Sequence, residues 1–349
     1  MIYEHGGNIY GQKIESDFSV SINPLGCPDI VKNAFYKTLD EITLYPEITQ
    51  DSVRKSLADL YNVTPDNIVC GNGASELLMA AVHMVNPKQA LLTAPSFYGY
   101  EHALKSVQNC EIRTYELKQE NGFLLGEDIL EYLTEDTDLF FVTDPNNPTG
   151  RLVDPVLMDK ILERCREKHI TTVIDECFLK LSNKSTGMSE YAASHDAIIV
   201  LDAFTKTLAI PGVRAGFAVA SKDTVSRLRD QLPEWNLSVF AVAAILSGCR
   251  YLSDGTYLEK CREFIVAERQ FLKKELEKLG ITVFESDTLF MLLYTEKDIF
   301  EPLLKQGILI RDCSNFRSLS KGYYRIAIKT HEENEKLVCS LDRVIQKSC

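Results

Sequence analysis

The chain has 349 residues, 45% of them hydrophobic and 25% charged, a globular composition long enough for one large core or two domains. Its formal net charge of -12 excludes nucleic acid or an anionic membrane as a partner held by bulk charge, and leaves anion binding to local arginines. The ten cysteines form no CxxC pair and the six histidines no HxxxH, so no structural metal is expected and the cysteines read as small buried hydrophobes of a reducing compartment.

The opening "MIYEHGGNIYGQK" carries no apolar signal core, and the longest apolar run, "VFAVAAIL", is too short to span a bilayer. A cytoplasmic protein is expected. From residue 66 the sequence alternates. "NIVCG" reads as a strand entering a glycine turn, "SELLMAAVHMV" as a helix, "QALLTA" as a strand, "YGYEHALKSV" as a helix and "EIRTYEL" as extended. "LFFVTD" is an apolar strand that runs into the turn-rich "PNNPTG". "PVLMDKILERCREKH" has helical spacing at Leu157, Ile161 and Cys165, with proline at its start. "TTVIDE" and "AIIVLDA" are continuous apolar strands. Such runs alternating with helices predict an α/β fold with a buried, mostly parallel sheet.

After about residue 235 the pattern changes. "TYLEKCREFIVAERQFLKKELEKLG" predicts a long amphipathic helix with a core stripe of Leu258, Cys261, Ile265, Leu272, Leu276 and Leu279. Shorter strands are expected in "TLFMLLYT", "GILIRD" and "YYRIAIK". The expected organisation is a large domain over 41–235 and a smaller α+β domain from 1–40 and 236–349.

Ligands of open α/β sheets bind beyond the carboxyl ends of the strands. The ends here are "CGNGAS", "APSFYGY", "DPNNPTG", "IDECF" and "DAFTK". Lys206 follows one of them inside the apolar "AFTKTLAIPGVRAGF". Loss of solvation there lowers the pKa of an amine and frees it for Schiff-base chemistry. Asp175 ends another apolar strand, where a carboxylate needs a cation such as a pyridinium nitrogen. Asn147 offers a neutral donor in a tight turn. "GNGASE" offers amide groups at a helix start, where a phosphate is favoured. Phe97 and Tyr98 offer flat faces to an aromatic ring. Together these parts match pyridoxal 5'-phosphate.

"PNNPTG", "IDE" and "FTKTLAIPGVRAGF", in this order and spacing, resemble the fold-type I pyridoxal-phosphate enzymes of the class I/II aminotransferase superfamily, and the resemblance covers essentially the whole chain. It implies that fold, with a mostly parallel central sheet in a large domain and a smaller α+β domain beside it. It implies that Lys206 bonds the cofactor and shuttles a proton, and that Asp175 keeps the ring nitrogen protonated. By the same resemblance Asn147 bonds the ring's phenolic oxygen and Phe97 stacks on the ring. Arg214, with Gly73, Ala74 and Ser75, would hold the phosphate, and Thr205 is the candidate to replace a missing serine there. Tyr45 is similar to a tyrosine that reaches the neighbouring subunit's cofactor, which implies a homodimer. Two departures are visible. Ala203 stands where relatives have that serine, and Phe178 stands where many have a tyrosine that bonds the phenolic oxygen.

Within the superfamily two subfamilies compete, the L-threonine-O-3-phosphate decarboxylases of cobalamin biosynthesis and the histidinol-phosphate aminotransferases. "EHGGN", "DFSVSINPLG", "DECF" and "GILIRDCSNF…GYYRIAIK…EEN" look more like the decarboxylases. This resemblance implies a small phosphorylated amino-acid substrate, with His5, Asn23, Arg311 and Arg325 in contact with it. Arg325 resembles the carboxylate-binding arginine and Arg311 one at the phosphate end, the division between them being open. Arg317 stands in "NFRSL" where decarboxylase relatives lead one to expect "NFPGL". It reads either as a third cation near the substrate or as a solvent-facing loop residue. Phosphoserine, phosphonoalanine and histidinol phosphate remain alternative substrates, and the same parts support decarboxylation or transamination.

Overall fold

The computed structural model describes residues 5–11, 13–183 and 187–346. A two-residue strand, β1 (Ser16–Asp17), precedes the helices α1 (Asp29–Thr38) and α2 (Asp51–Tyr61). The main sheet then takes seven strands: β2 (Ile68–Asn72), β3 (Gln89–Ala94), β4 (Glu111–Glu116), β5 (Leu139–Thr143), β6 (Thr171–Asp175), β7 (Ile198–Ala203) and β8 (Ala215–Ala220). Helix α3 (Ala74–Val85) follows β2 directly. The helix Pro155–Glu167 starts where its sequence predicts, with Asp154 capping the amides of Val156 and Leu157.

The continuous apolar runs are explained by burial on both faces. Ile68, Cys70, Phe140, Val142, Val200, Phe217 and Val219 pack into one core. Their chain neighbours Val69, Phe141, Ile199, Leu201 and Ala218 pack, with Val173, into another on the opposite face.

The strand order is β2-β8-β7-β6-β5-β3-β4. Neighbours from β4 to β7 are parallel, while β8 is antiparallel to both β7 and β2. The carboxyl ends of β2, β3, β5, β6 and β7 therefore share one edge with the amino end of β8. Every strand-end motif singled out in the sequence falls on that edge.

The second core is built on the helix Thr256–Lys278, which buries Cys261, Ile265, Leu272 and Leu276 of its predicted stripe. Against it lies a four-stranded antiparallel sheet of β9 (Thr282–Val283), β10 (Phe290–Tyr294), β12 (Arg311–Asp312) and β13 (Tyr323–Ala327). The run "GILIRD", expected as one strand, is divided. β11 (Ile308–Leu309) pairs in parallel with β1, and after Ile310 the chain passes to β12, beside β13. Phe18, next to β1, joins this core.

Two segments differ from the expected division. Val31 of α1, and Ala241, Ala244, Ile245, Cys249 and Leu252 of the helix Val239–Leu252, enter a core of the main sheet. The apolar faces of these helices meet each other and α2, so they side with the sheet and not with the second core.

Candidate active site

A cavity of about 410 Å³ lies at the sheet edge, closed from the other side by the second unit. Lys206, Asp175, Asn147, Arg214, Phe97, Thr205, Ala74 and Ser75 line it from the sheet side, and His5, Arg311 and Arg325 from the other.

The turn between β2 and α3 shows why its sequence is glycine-rich. Gly73 has φ +77°, and a Cβ there would lie 2.3 Å from Arg214 Nη2. Gly216 lies opposite Gly71 in the ladder, and a Cβ on it would come within 2.4 Å of the Ala74 nitrogen. Both positions must lack a side chain for the turn, β8 and the guanidinium to meet. The first amides of α3 have no partner within their own helix, which makes this an anion cradle with Arg214 beside it. Arg214 itself is left-handed, at φ 62°, a conformation that non-glycine residues adopt rarely and at functional sites.

Asp175 ends β6. Its Oδ1 accepts the Cys177 amide at 3.0 Å, and its Oδ2 accepts the Tyr100 hydroxyl at 2.7 Å. Tyr100 also bonds Thr143 Oγ1 at 2.7 Å, and burial, then the nearby Asp175 charge, pushes its phenol well above the usual range. The carboxylate is thus aimed by two hydrogen bonds and keeps an edge on the cavity.

Lys206 sits in the single helical turn Phe204–Thr207 that follows β7. Its amine lies 5.6 Å from the centroid of the Phe178 ring. Burial, aided by the cations of Arg325 and Arg214 and opposed by Cys177 and Asp175, lowers the ammonium to about 8. A substantial neutral fraction is therefore available near neutral pH. Phe178 brings an apolar ring where a tyrosine would bring a hydroxyl, and Ala203 brings a methyl group to the cavity wall.

Arg311 and Arg325 stand directly opposite each other on β12 and β13. Arg325 donates from Nη1 to Asn147 Oδ1 and from Nη2 to the Ser19 carbonyl at 2.8 Å, while its buried Nε has no partner among the described residues. Burial pulls its guanidinium down to about 10, and the Arg311 charge acts in the same direction. Arg311 donates to Asn315 Oδ1 at 2.7 Å and lies 5.0 Å from the Phe316 ring centroid. Like charges opposite each other on adjacent strands are destabilising unless an anion sits between them. His5 approaches Phe97 and Tyr98, with ring centroids 5.7 and 5.8 Å apart.

Two expected residues lie elsewhere. Asn23 does not line the cavity. Its amide nitrogen donates to the Thr207 carbonyl at 2.8 Å and to Tyr257 Oη at 2.9 Å, with Cys261 Sγ at 3.1 Å, and its Oδ1 accepts the Leu25 amide. The turn closed by Gly26 onto Asn23 rotates the side chain toward the Lys206 segment, whose carbonyl accepts the Asn23 backbone amide at 3.0 Å. Tyr45 is 82% exposed and packs on Trp235, away from the cavity of its own chain. Arg317 points to Glu101 at 2.8 Å and is not on the wall. The residues that sequence reasoning missed are Tyr100, Thr143, Ser19, Ser21 and Phe316, all on the wall. Ser21 is buried and its Oγ has no partner among the described residues. Alternation along "DFSVS" places Ser19 and Ser21 on one side and was the available signal.

The donor set fits pyridoxal phosphate: an amine with a depressed pKa, an aimed carboxylate across the cavity, an aromatic face at Phe97 and an anion cradle whose two glycines leave no room for a Cβ. Among the described residues no group of three or more His, Cys, Asp or Glu is placed to hold a metal ion, and no helix is long and apolar enough to cross a membrane.

A mostly parallel α/β sheet with a lysine and an aspartate at its carboxyl edge defines a class, and the chain belongs to the aminotransferase class I and II family, matched over residues 14–341. That family and fold are of the pyridoxal-phosphate-dependent type. The threonine-phosphate decarboxylase of Salmonella typhimurium is 36% identical over 98% of this chain and 96% of its own length. The histidinol-phosphate aminotransferase of Methanocaldococcus jannaschii is 27% identical over 96% of this chain and 91% of its own. Among solved structures, the histidinol-phosphate aminotransferase from Clostridium acetobutylicum superposes with a TM-score of 0.87 at 27% identity, covering 95% of this chain and 99% of that one. The L-threonine-O-3-phosphate decarboxylase from Porphyromonas gingivalis has a TM-score of 0.83 at 23% identity, covering 94% and 99%, a likeness of fold.

Proposed function

We propose that this chain is a pyridoxal-phosphate-dependent decarboxylase of a phosphorylated amino acid, with L-threonine O-3-phosphate as substrate and (R)-1-amino-2-propanol O-2-phosphate and CO2 as products. The observation that carries the substrate class is the pair Arg311 and Arg325, opposite each other on neighbouring strands and facing the same cavity as Arg214 in a chain of net charge -12. Three arginines around one cavity call for two anionic groups on the substrate besides the cofactor's phosphate. The relative of highest identity quoted above, a threonine-phosphate decarboxylase, supports the same reading.

The bound cofactor would supply an aldehyde for an amine and a cationic ring that withdraws electrons from the substrate's Cα. Lys206 would hold that aldehyde in the resting enzyme and return a proton to Cα after CO2 departs. Its lowered pKa lets one amine serve as base and, once protonated, as acid near neutral pH. Asp175, aimed by Tyr100 and the Cys177 amide, would hold the proton on the ring nitrogen. Asn147, Phe97 and the Gly73–Ser75 turn with Arg214 and Thr205 would orient the cofactor. Arg325 and Arg311 would hold the substrate's carboxylate and phosphate, and His5 would cover them.

The active unit is a homodimer in this reading. Ile30, Leu44, Tyr45 and Leu246 expose apolar surface in a groove of about 730 Å³ between α1 and the helix Val239–Leu252, and the exposed Trp235 packs on Tyr45. A patch of this extent on a protein surface supports a protein interface, here with a second copy that would receive Tyr45.

Product analysis with threonine phosphate, phosphoserine, phosphonoalanine and histidinol phosphate in parallel tests the function. The expected result is CO2 and an amino-alcohol phosphate from threonine phosphate without any 2-oxo acid. The fold likeness to a histidinol-phosphate aminotransferase at 27% identity favours the rival. Turnover only with 2-oxoglutarate, with glutamate formed, would establish that rival.

A further inference from the structure

Arg311 is not held by its own strand alone. Its guanidinium is gripped by Asn315 and covered by Phe316, both in the loop 313–322 that joins β12 to β13. The loop is in turn fastened to the main-sheet side at two points. Arg317 Nε donates to Glu101 Oε1 at 2.8 Å, and Ser318 Oγ donates to Glu116 Oε1 at 3.1 Å. Glu101 belongs to the short helix Gly99–Leu104, which begins two residues after Phe97, and Glu116 ends β4. Ser318 reaches its partner from a left-handed backbone, at φ 65°, so the loop is bent toward the contact. Arg317 is about half exposed and Glu101 largely buried, and the pair holds the Glu101 carboxyl below its usual range.

We propose that Arg317 and Glu101 form a latch between the two halves of the molecule, and that its work is to keep Asn315 and Phe316 on Arg311 so that this cation faces the substrate. Arg317 and Glu101 are thus positioning residues for substrate binding. The latch accounts for an arginine at a place where relatives of the decarboxylase type lead one to expect proline. The kinetic part of the proposal rests on the function proposed above, and the structural part does not.

Exchange of charge provides the test. Arg317→Glu and Glu101→Arg are each expected to raise the Michaelis constant for the phosphorylated substrate about five-fold, the upper end for a half-exposed ion pair, with kcat within about two-fold of the parent. The double variant Arg317→Glu/Glu101→Arg is expected to restore the constant. Amide hydrogen exchange across 313–319 in the holoenzyme should quicken in the single variants and return in the double one. A Michaelis constant and exchange unchanged in both single variants would overturn the latch, and so would faster exchange that the double variant does not reverse. Should the parent turn over none of the four substrates, the functional reading falls and the exchange measurement alone decides the latch.

Discussion

Lys206, Asp175, Asn147 and Arg214 stand at the edge of a seven-stranded sheet, whereas Arg311, Arg325 and His5 stand on strands of two and five residues and on the N-terminal segment. On the sheet side, backbone ladders set the positions: Asp175 pairs with Thr143 and Leu201, and Ala203 with Gly216. On the other side Arg311 and Arg325 also pair in a ladder, but side chains hold their guanidinium groups, as Asn315 and Phe316 hold that of Arg311 and Asn147 that of Arg325. A rigid wall suits the groups proposed to make bonds, whose geometry must not drift. A wall fixed by exchangeable contacts suits the groups that select a substrate, since a few side chains can alter it.

Four measurements would break or sharpen this contrast. Lys206→Ala is expected to remove about 10³-fold or more of turnover and all borohydride trapping, with the protein still folded. Any trapped cofactor on that variant would move the reactive amine elsewhere. Arg325→Ala should raise the Michaelis constant about 10²-fold or more and leave cofactor absorbance intact, because it removes a buried cation that the substrate would pair with. An unchanged constant would take Arg325 out of the substrate clamp. Tyr100→Phe keeps the ring and removes the hydroxyl that Asp175 accepts, so kcat should fall about ten-fold and the holoenzyme's absorbance titration should shift, with the Michaelis constant near the parent's.

The smallest effect concerns the stability of the cofactor-free protein. Burial raises Glu176 to about 8, so the native state keeps a proton that the unfolded chain loses above the ordinary glutamate value of 4.5. Its contribution is present below that value and is lost as pH rises toward 8. Lys206 has the opposite sign. Its native pKa of about 8 lies below the ordinary lysine value of 10.5, so in that interval the unfolded chain binds more protons and stability rises with pH. Together they predict a shallow minimum in melting temperature near pH 8. Glu176→Gln should flatten its acid side and Lys206→Met its alkaline side, and a curve unmoved by either variant would contradict both assignments.

The sheet side was legible because Asp175 ends a hydrophobic strand, Asn147 and Lys206 follow one and Arg214 precedes one, where a polar or charged residue is conspicuous. The β8 reversal was not legible: "RAGFAVA" has the same composition as its parallel neighbours, and direction is set by pairing with β2 and β7. Tyr100 was passed over because it lies in a helix beyond a strand end, and only the fold carries it to Asp175. Asn23 lies off this wall because the proline turn after it breaks the alternation that places Ser19 and Ser21 on the cavity. The division of "GILIRD" between two sheets escaped because both halves are equally extended.

The backward run of β8 has a consequence for how this chain can vary. Because that strand begins at the shared edge, the amine at 206 and the guanidinium at 214 are tethered by a link of seven residues, 207–213. The spacing between the reactive carbon and the phosphate of any vitamin B6 derivative is a fixed molecular length. Insertions or deletions inside that link would therefore pull the two anchors out of step with it. Loops on the far edge of the same sheet carry no such ruler.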